Sequence, residues 1–178
     1  MPNWCNTSYS LVGSEENVEK AFNDLETLNK TPRKSENKWS FENCSNWLGY
    51  VVTDILGKSW EDISCRDTFN NLNFSFDDNF SLLTFDTETA WGPCSELIEE
   101  LANKYSLSVN YYSEEFGMCF FEKHNPDGIF HNCFCYSDET NTNYYKTLEQ
   151  FISEYGEQYD LHQGMQIEEV QTIVREKE

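Results

Sequence analysis

The chain of 178 residues contains 32 acidic and 12 basic residues, which gives a formal net charge of -20 at pH 7. A surface that negative repels phosphate backbones, so it argues against direct binding of DNA or RNA and favours a basic protein as partner. The length suits one domain, and the aromatic residues, 16% of the chain, carry enough apolar area for a core. The same charge is also compatible with a role in solubility alone.

The first predicted elements are a strand and a helix. Residues 4–12 alternate between apolar and polar side chains, which indicates a strand that ends at Gly13. Ser14 is a favourable N-cap for the helix that follows, because its hydroxyl accepts a hydrogen bond from a free backbone N–H group. The apolar stripe of this helix consists of Val18, Ala21, Phe22, Leu25 and Leu28.

An insertion follows the first helix, at about residues 30–71. Its first part, residues 29–38, is rich in basic residues and predicts an exposed loop. A second short helix is predicted from Trp47 to Leu56, with Gly57 placed to end it. Residues 60–66 look extended, and the pair Asn70-Asn71 predicts a turn.

Two predicted hairpins flank another helix in the next part of the chain. Pro93 is typical of the first turn of a helix, and the apolar spacing predicts that this helix covers residues 94–105. Alternation predicts strands at residues 72–76, 80–85, 107–111, 118–121 and 129–136.

The order of these elements predicts an α+β fold of the split βαβ, ferredoxin-like plan. The main domain covers residues 1–136 and has an antiparallel sheet with helices on one face and a helical insertion after the first helix. Residues 137–178 predict an acidic helical tail packed on that domain. A sheet of this kind leaves one face or one edge free to receive a partner.

Five short segments carry a likeness to a known family. They are M-P-N-W-C-N at residues 1–6, N-W-L-G at 46–49, C-R at 65–66, T-E-T-A-W-G-P-C at 87–94 and E-F-G-M at 115–118. These segments resemble the YubB-like, ferredoxin-like domain proteins of phages, plasmids and integrated mobile elements. The resemblance extends over residues 1 to about 136 and implies the fold and a mobile-element origin. It implies no activity, because that family has no agreed one.

The N-terminal residues and the seven cysteines bear on location. The start, Met-Pro-Asn-Trp-Cys, has neither the basic residues nor the apolar stretch of a signal peptide, and no apolar run is long enough to cross a bilayer. Without export the compartment is reducing, so most of the thiols are expected to be free and partly buried. The sequence predicts a cytoplasmic protein that does not associate with membranes.

The segment from His131 to Cys135 is the strongest candidate for a metal site. On a strand, His131, Cys133 and Cys135 project from the same face, and His124 or another cysteine is available as a fourth ligand. The chain nevertheless lacks the paired C-x-x-C spacing of a zinc site. Packing of small cysteines in the core is therefore favoured, and no metal or other cofactor is expected.

The sequence predicts no catalytic residues. No nucleophile motif surrounds any cysteine, and the glycines form no phosphate-binding loop. Asp86 and Glu88 share one face of a predicted strand, where a solvated strand end is favoured over an acid–base pair. The chain is expected not to be an enzyme.

The first candidate binding surface is the acidic start of the first helix, with Glu15, Glu16 and Glu19. Carboxylates placed where phosphates would lie imitate a nucleic-acid backbone, so this helix suits the basic groove of a nucleic-acid-binding protein. The favoured function is that of a non-enzymatic acidic binding protein of a phage or mobile element. In its most specific form, the protein is an anti-CRISPR-like or DNA-mimic inhibitor of a host defence effector.

The second candidate surface is aromatic and comprises Trp47, Trp91 and the neighbouring Glu88. Tryptophans in such loops often pack as core plugs. The functional alternatives are a protein-binding hot spot, or a Trp-lined pocket that sequesters a small ligand or signalling nucleotide. Ligand sequestration and an uncharacterised enzyme are the alternatives to macromolecular binding.

Overall fold

A computed structural model describes residues 4–33, 44–59, 61–63, 68–76, 80–115, 120–129, 152–153, 156–158 and 160–165. The chain forms two compact units, Met1–Ile129 and Phe130–Glu178. In the second unit, residues 152–153 and 156–158 are helical, and Ile152 and Leu161 are buried. Almost all of the predicted strand at 129–136 and most of the predicted helical tail lie outside the described residues.

The first unit is built on a five-stranded antiparallel sheet with the order β2-β3-β1-β4-β5. The strands are β1 (Trp4–Gly13), β2 (Phe69–Phe76), β3 (Ser81–Ala90), β4 (Ser108–Glu115) and β5 (Phe120–His124). Each of the two long helices connects a pair of strands that have one other strand between them. This is the split βαβ arrangement of a ferredoxin-like fold, extended by β5 at the β4 edge. The predicted fold class is confirmed.

The first helix, α1 (Glu15–Lys30), follows the prediction closely. The Ser14 hydroxyl accepts a hydrogen bond from the backbone N of Asn17 at 3.4 Å, which satisfies one of the free donors of the first turn. At the other end, the Thr31 hydroxyl donates to the carbonyl of Thr27 at 2.7 Å. The buried residues of α1 are Val18, Ala21, Leu25 and Leu28.

The insertion contains α2 (Leu48–Tyr50), which continues as a π-helical turn (Val51–Ile55). Gly57 follows with φ 67°, a left-handed conformation that glycine adopts without strain. Arg33, from the predicted exposed loop, contacts two other residues of the insertion. Its guanidinium donates to Asp54 at 2.6 Å and lies 4.0 Å from the ring centre of Tyr50.

The turn predicted at Asn70-Asn71 is wrong, because both residues lie inside β2. The pairing of β2 with β3 shifts register between Asn70 and Asn73, which marks a β-bulge. Asn71 has φ 53° and donates from its side chain to Asp86 at 2.7 Å. Asparagine tolerates the left-handed conformation better than most residues, so the same side chain that favours a turn also suits a bulge.

The third helix, α3 (Ser95–Tyr105), begins two residues after Pro93. It ends at Ser106, whose φ of 54° allows the backbone N of Leu107 to donate to Ala102 at 2.9 Å. The Tyr105 hydroxyl donates to Asp24 of α1 at 2.5 Å, so the two helices lie side by side on one face of the sheet. The strand segments at residues 82–85, 107–111 and 118–121 were predicted to lie in one sheet. The strands described there, β3, β4 and β5, belong to the same sheet.

The two faces of the sheet differ because the helices described in the first unit cover only one of them. Along β1 and β3 the odd-numbered side chains are buried and the even-numbered ones are more exposed, as alternation requires. The centre of the covered face is apolar and aromatic, with Tyr9 stacked on Phe85 at 5.3 Å and tilted against Tyr111 at 5.6 Å. The other face is the open face of the sheet.

Candidate functional site

The sheet has two ends, and the end where β1 begins carries a buried polar layer on the covered face. The hydroxyls of Thr7 and Ser113 hydrogen-bond at 2.8 Å, and the thiol of Cys5 lies 3.8 Å from Thr7. All three side chains are at most 1% exposed. Burial raises the pKa of the Cys5 thiol, so this cysteine is held in the protonated form and is a poor nucleophile.

The same polar layer fixes the turn that follows β3. The hydroxyl of Thr89, itself 1% exposed, donates to the carbonyl of Gly92 at 2.6 Å. Glu115 at the end of β4 is also buried, with 2% exposure. The turn from Trp91 to Pro93 is therefore anchored from inside the protein.

Trp91 lies in this anchored turn and has a strained backbone conformation. Its φ is 74°, a left-handed conformation that is strained for a bulky residue, and its side chain is 55% exposed. Trp4, 38% exposed, lies directly opposite Ala90 in the pairing of β1 with β3. Two exposed tryptophans thus lie at the same end of the sheet, where burial alone gives no reason for either.

Carboxylates lie on the open face at the same end of the sheet as these tryptophans. Asn6 pairs with the exposed Glu88 across β1 and β3, and Ser8 donates to Asp86 at 2.7 Å. We call the set Trp4, Asn6, Asp86, Glu88 and Trp91 the Trp4–Trp91 surface.

A neighbouring part of the open face is covered by the turn after β5. The side chain of Asn110 donates to Asp127 at 2.7 Å, and the backbone N of Asp127 donates back to Asn110 at 3.0 Å. Asn110 is consequently 0% exposed although it lies on the open face.

The structure separates the candidate binding residues predicted from the sequence. Trp91 and Glu88 lie on the Trp4–Trp91 surface. Glu15, Glu16 and Glu19 are exposed on α1 and begin beside the opposite end of β1. Since β1 is ten residues long, the two ends are about 30 Å apart.

Trp47 has the structural role of a packed loop residue. Its ring is partly buried and meets Tyr50 edge-on at 5.1 Å, and its backbone forms a β-bridge with Thr68. These contacts favour the core-plug interpretation for Trp47 and distinguish it from the exposed Trp91.

The predicted metal candidates His131, Cys133 and Cys135 lie outside the described residues. Within the described ranges, no group of three or more His, Cys, Asp or Glu side chains is arranged to hold a metal ion. The thiols of Cys5 and Cys44 are free, as expected, whereas Cys94 is disulfide-bonded. In the part of the chain that the structure describes, no helix is long and apolar enough to cross a membrane.

Sequence reasoning missed two features of this site. The position of Trp4 beside Trp91 depends on the pairing of strands that are far apart in the chain. The buried polar layer was also missed, although the odd-numbered residues Cys5, Thr7, Thr87 and Thr89 on the two predicted strands were a signal that one end of the covered face is polar.

Comparisons with known proteins give one match. Residues 71–169, more than half of the chain, match the family described as the ferredoxin-like domain in Api92-like protein. The matched range begins within β2 and includes the T-E-T-A-W-G-P-C segment, whereas the N-terminal segment and the N-W-L-G segment precede it. Searches of curated proteins and of solved structures returned no match.

Proposed function

We propose that this chain, which belongs to the family of ferredoxin-like domains in Api92-like proteins, is a non-enzymatic binding protein that docks a basic partner on its Trp4–Trp91 surface. Its partner is a host or mobile-element protein with a positively charged surface. The proposal includes neither direct binding of nucleic acid nor attachment to a membrane.

The observation that carries the proposal is Trp91. A bulky residue in a left-handed conformation costs about 1–3 kcal/mol, and such strain is found preferentially at functional sites. More than half of this side chain stays in solvent, at 55% exposure, so it is available for contact with a partner. Contact with a partner would account for this strained and exposed residue, and tryptophan is among the residues most enriched in binding hot spots.

Charge supports the choice of partner. Asp86 and Glu88 lie on the surface itself, and the whole chain carries a net charge of -20. A complementary positive surface would be steered toward it, and the two exposed rings can also stack on arginine or lysine side chains. The complex is expected to weaken as salt rises, because salt screens exposed charges.

A more specific form of the proposal concerns origin and target. The T-E-T-A-W-G-P-C segment and the other shared segments support assignment to YubB-like proteins of phages and mobile elements. An acidic binding protein from such an element suits the basic groove of a host defence effector, which it would block as a DNA mimic or an anti-CRISPR-like inhibitor.

The experiment compares two baits in host lysate, the wild type and Trp91→Gly. Glycine adopts a positive φ without strain, so the variant removes the ring while keeping the turn. The proposal predicts that wild type captures basic proteins that salt releases, that Trp91→Gly does not, and that duplex DNA competes with the wild-type bait for them.

Three results would contradict parts of this proposal. Equal capture by both baits would exclude the Trp4–Trp91 surface as the binding site. A small molecule that copurifies with wild type and is absent from Trp91→Gly, detected by native mass spectrometry, would instead favour ligand sequestration. Failure of DNA to compete would remove the mimicry claim and leave the docking claim intact.

A further inference from the structure

Over part of its length, the outer edge of β2 has no partner strand among the residues that the structure describes. At its start, the backbone N of Phe69 donates to Asn46 at 3.0 Å, and the Asn46 side chain donates to the carbonyl of Phe69 at 2.7 Å. Backbone groups of Phe69 therefore point outward, away from β3. In an antiparallel pair, the direction of the backbone N–H and C=O groups alternates along the strand. Phe69 lies opposite Thr87, so the other β2 residues that lie opposite odd-numbered residues of β3 also direct these groups outward.

The residues in that position are Phe74, opposite Leu83, and Phe76, opposite Ser81. No other described residue hydrogen-bonds to their outward N–H and C=O groups. The strand contains no charged residue and no proline, two features that often protect an edge from pairing, and its β-bulge lies at Asn71, before the open residues. The final three residues of β2 thus offer main-chain hydrogen bonds to another strand.

Aromatic rings lie beside this open edge on the covered face of the sheet. Phe74 lies 5.9 Å from Phe22 of α1 and 5.6 Å from Phe76, measured between ring centres. Phe76 is 65% exposed, the largest exposure among the large apolar side chains of the described residues. The three rings form an apolar floor that runs from α1 to the edge and ends in solvent.

Carboxylates of α1 line the other side of that floor. Glu15, Glu19, Phe22 and Glu26 follow one another at intervals of four, three and four residues, so they form one stripe along the helix. Because Phe22 contacts Phe74, this stripe faces β2. Glu26 is paired with Lys30 at 2.7 Å, and Glu15 and Glu19 are exposed.

We define the β2 groove as Glu15, Glu19 and Phe22 of α1 with Phe74 and Phe76 of β2. We propose that it binds an extended basic segment of a protein, which adds to the sheet as a sixth strand beside β2. Side chains opposite Phe74 and Phe76 lie on the helix side, where arginine can cover the rings with its aliphatic part and reach the carboxylates. This site is distinct from the Trp4–Trp91 surface, and neither proposal depends on the other.

The test uses a labelled, end-blocked peptide of about ten residues that alternates arginine and threonine. In an added antiparallel strand, the arginines that face the rings are also the residues whose backbone bonds to β2. N-methylation of the arginine residues therefore removes the bonds to β2, whereas N-methylation of the threonine residues affects only the outward side. Charge and side chains are the same in both methylated peptides.

Fluorescence anisotropy with the full chain measures the three affinities. We expect the arginine-methylated peptide to bind at least about tenfold more weakly than the parent, and the threonine-methylated peptide within about twofold of it. Phe76→Thr keeps a strand-forming residue at an exposed position and should weaken the parent peptide by about fivefold.

Equal affinity of the two methylated peptides would overturn the proposal, because binding would then rest on charge alone. No detectable binding of the parent peptide at low salt would also overturn it. Light scattering gives a further check: a wild-type dimer that becomes a monomer in Phe76→Thr would assign the edge to self-association and not to a basic segment.

Discussion

The Trp4–Trp91 surface and the β2 groove lie at opposite ends of one sheet, and both place aromatic rings among carboxylates. They differ in what their backbones can do. The first is formed on β1 and β3, which are paired on both sides, so only side chains are available to a partner. The second includes an edge strand, so main-chain groups are available as well. Surfaces of similar composition are therefore proposed to bind partners in two different ways.

The interior beneath the two regions differs in a related way. Under the Trp4–Trp91 surface the covered face is hydroxyl-rich, with Thr7 bonded to Ser113 and Thr89 bonded to the strained turn. Toward the β2 groove it is apolar, with Leu11 paired with Leu83 and both 0% exposed. Directed hydrogen bonds hold a single residue in a costly conformation, whereas apolar packing supports a strand whose backbone is proposed to bind a partner.

The largest effect is expected from Trp91→Gly. Trp91→Asn is a second variant, because asparagine also tolerates a positive φ. Both are expected to weaken binding of the basic partner by about 30-fold or more, because a hot-spot ring is lost. The free energy of unfolding should stay within about 1 kcal/mol of wild type, since the relief of backbone strain offsets the loss of the partial burial of the ring. Titrations and denaturant unfolding on the same samples measure both quantities.

Affinity of the β2 groove for the arginine–threonine peptide should be unchanged in these variants. A matching loss at the groove would mean that the two regions are not independent.

The second prediction compares carboxylates of α1 that line the β2 groove with one that does not. Glu15→Gln combined with Glu19→Gln removes two carboxylates that line the β2 groove and should weaken the peptide by about fivefold at low salt, with a shallower salt dependence. The matched control is Glu16→Gln. It changes one charge in the same helical turn but lies about 100° round the helix from Glu15, so its effect should stay within about 1.5-fold.

If Glu16→Gln weakened the peptide as much per charge as the double variant, the general negative potential of the protein would explain binding. The helix should survive all three changes, because glutamine is a good helix former. Circular dichroism of each variant checks this directly.

The smallest effects concern tyrosines in the interior. The Tyr105 hydroxyl donates to Asp24, so Tyr105→Phe is expected to lower the free energy of unfolding by about 1–2 kcal/mol. The Tyr9 hydroxyl is buried without a hydrogen-bond partner among the described groups, so Tyr9→Phe should change stability by less than about 0.5 kcal/mol or increase it. Urea unfolding at pH 7 gives both values.

The pH dependence of stability follows from the same two residues. Burial raises the pKa of Tyr9 and of Tyr105, the latter also through Asp24, above the usual value of about 10. The neutral form is therefore favoured by folding, and its contribution is fully present below about pH 10 and lost as pH rises through the raised pKa values. Each Phe variant should lose less stability than wild type between about pH 10 and 12, and an identical decline would contradict these shifts.

The helices and their caps were predictable because their signals are local. Ser14 and the apolar spacing of α1 predict its start and its buried stripe without knowledge of the rest of the chain. The bulge at Asn71 was not predictable, since asparagine favours turns and bulges alike and only the partner strand distinguishes them. The π-helical turn after Tyr50 likewise follows from packing of the insertion and has no sequence signal of its own.

The candidate site was predictable only in part. Trp91 and Glu88 were identified from one segment of sequence, but Trp4 joins them through pairing with Ala90, which is distant in the chain. The acidic residues of α1 were identified as a surface, yet their role beside β2 depends on the contact of Phe22 with Phe74. Periodicity indicates which side chains share a face, whereas the neighbour of each face is a property of the folded sheet.

Hydroxyl-radical footprinting tests directly whether a basic partner docks on the Trp4–Trp91 surface. Oxidation of Trp4 and Trp91 is measured by mass spectrometry in the free protein and in the complex with the captured partner, with the exposed Phe76 as an internal reference at the other end of the sheet. The account predicts that oxidation of both tryptophans falls severalfold in the complex while Phe76 changes little. Unchanged oxidation of Trp4 and Trp91 in a saturated complex would contradict it.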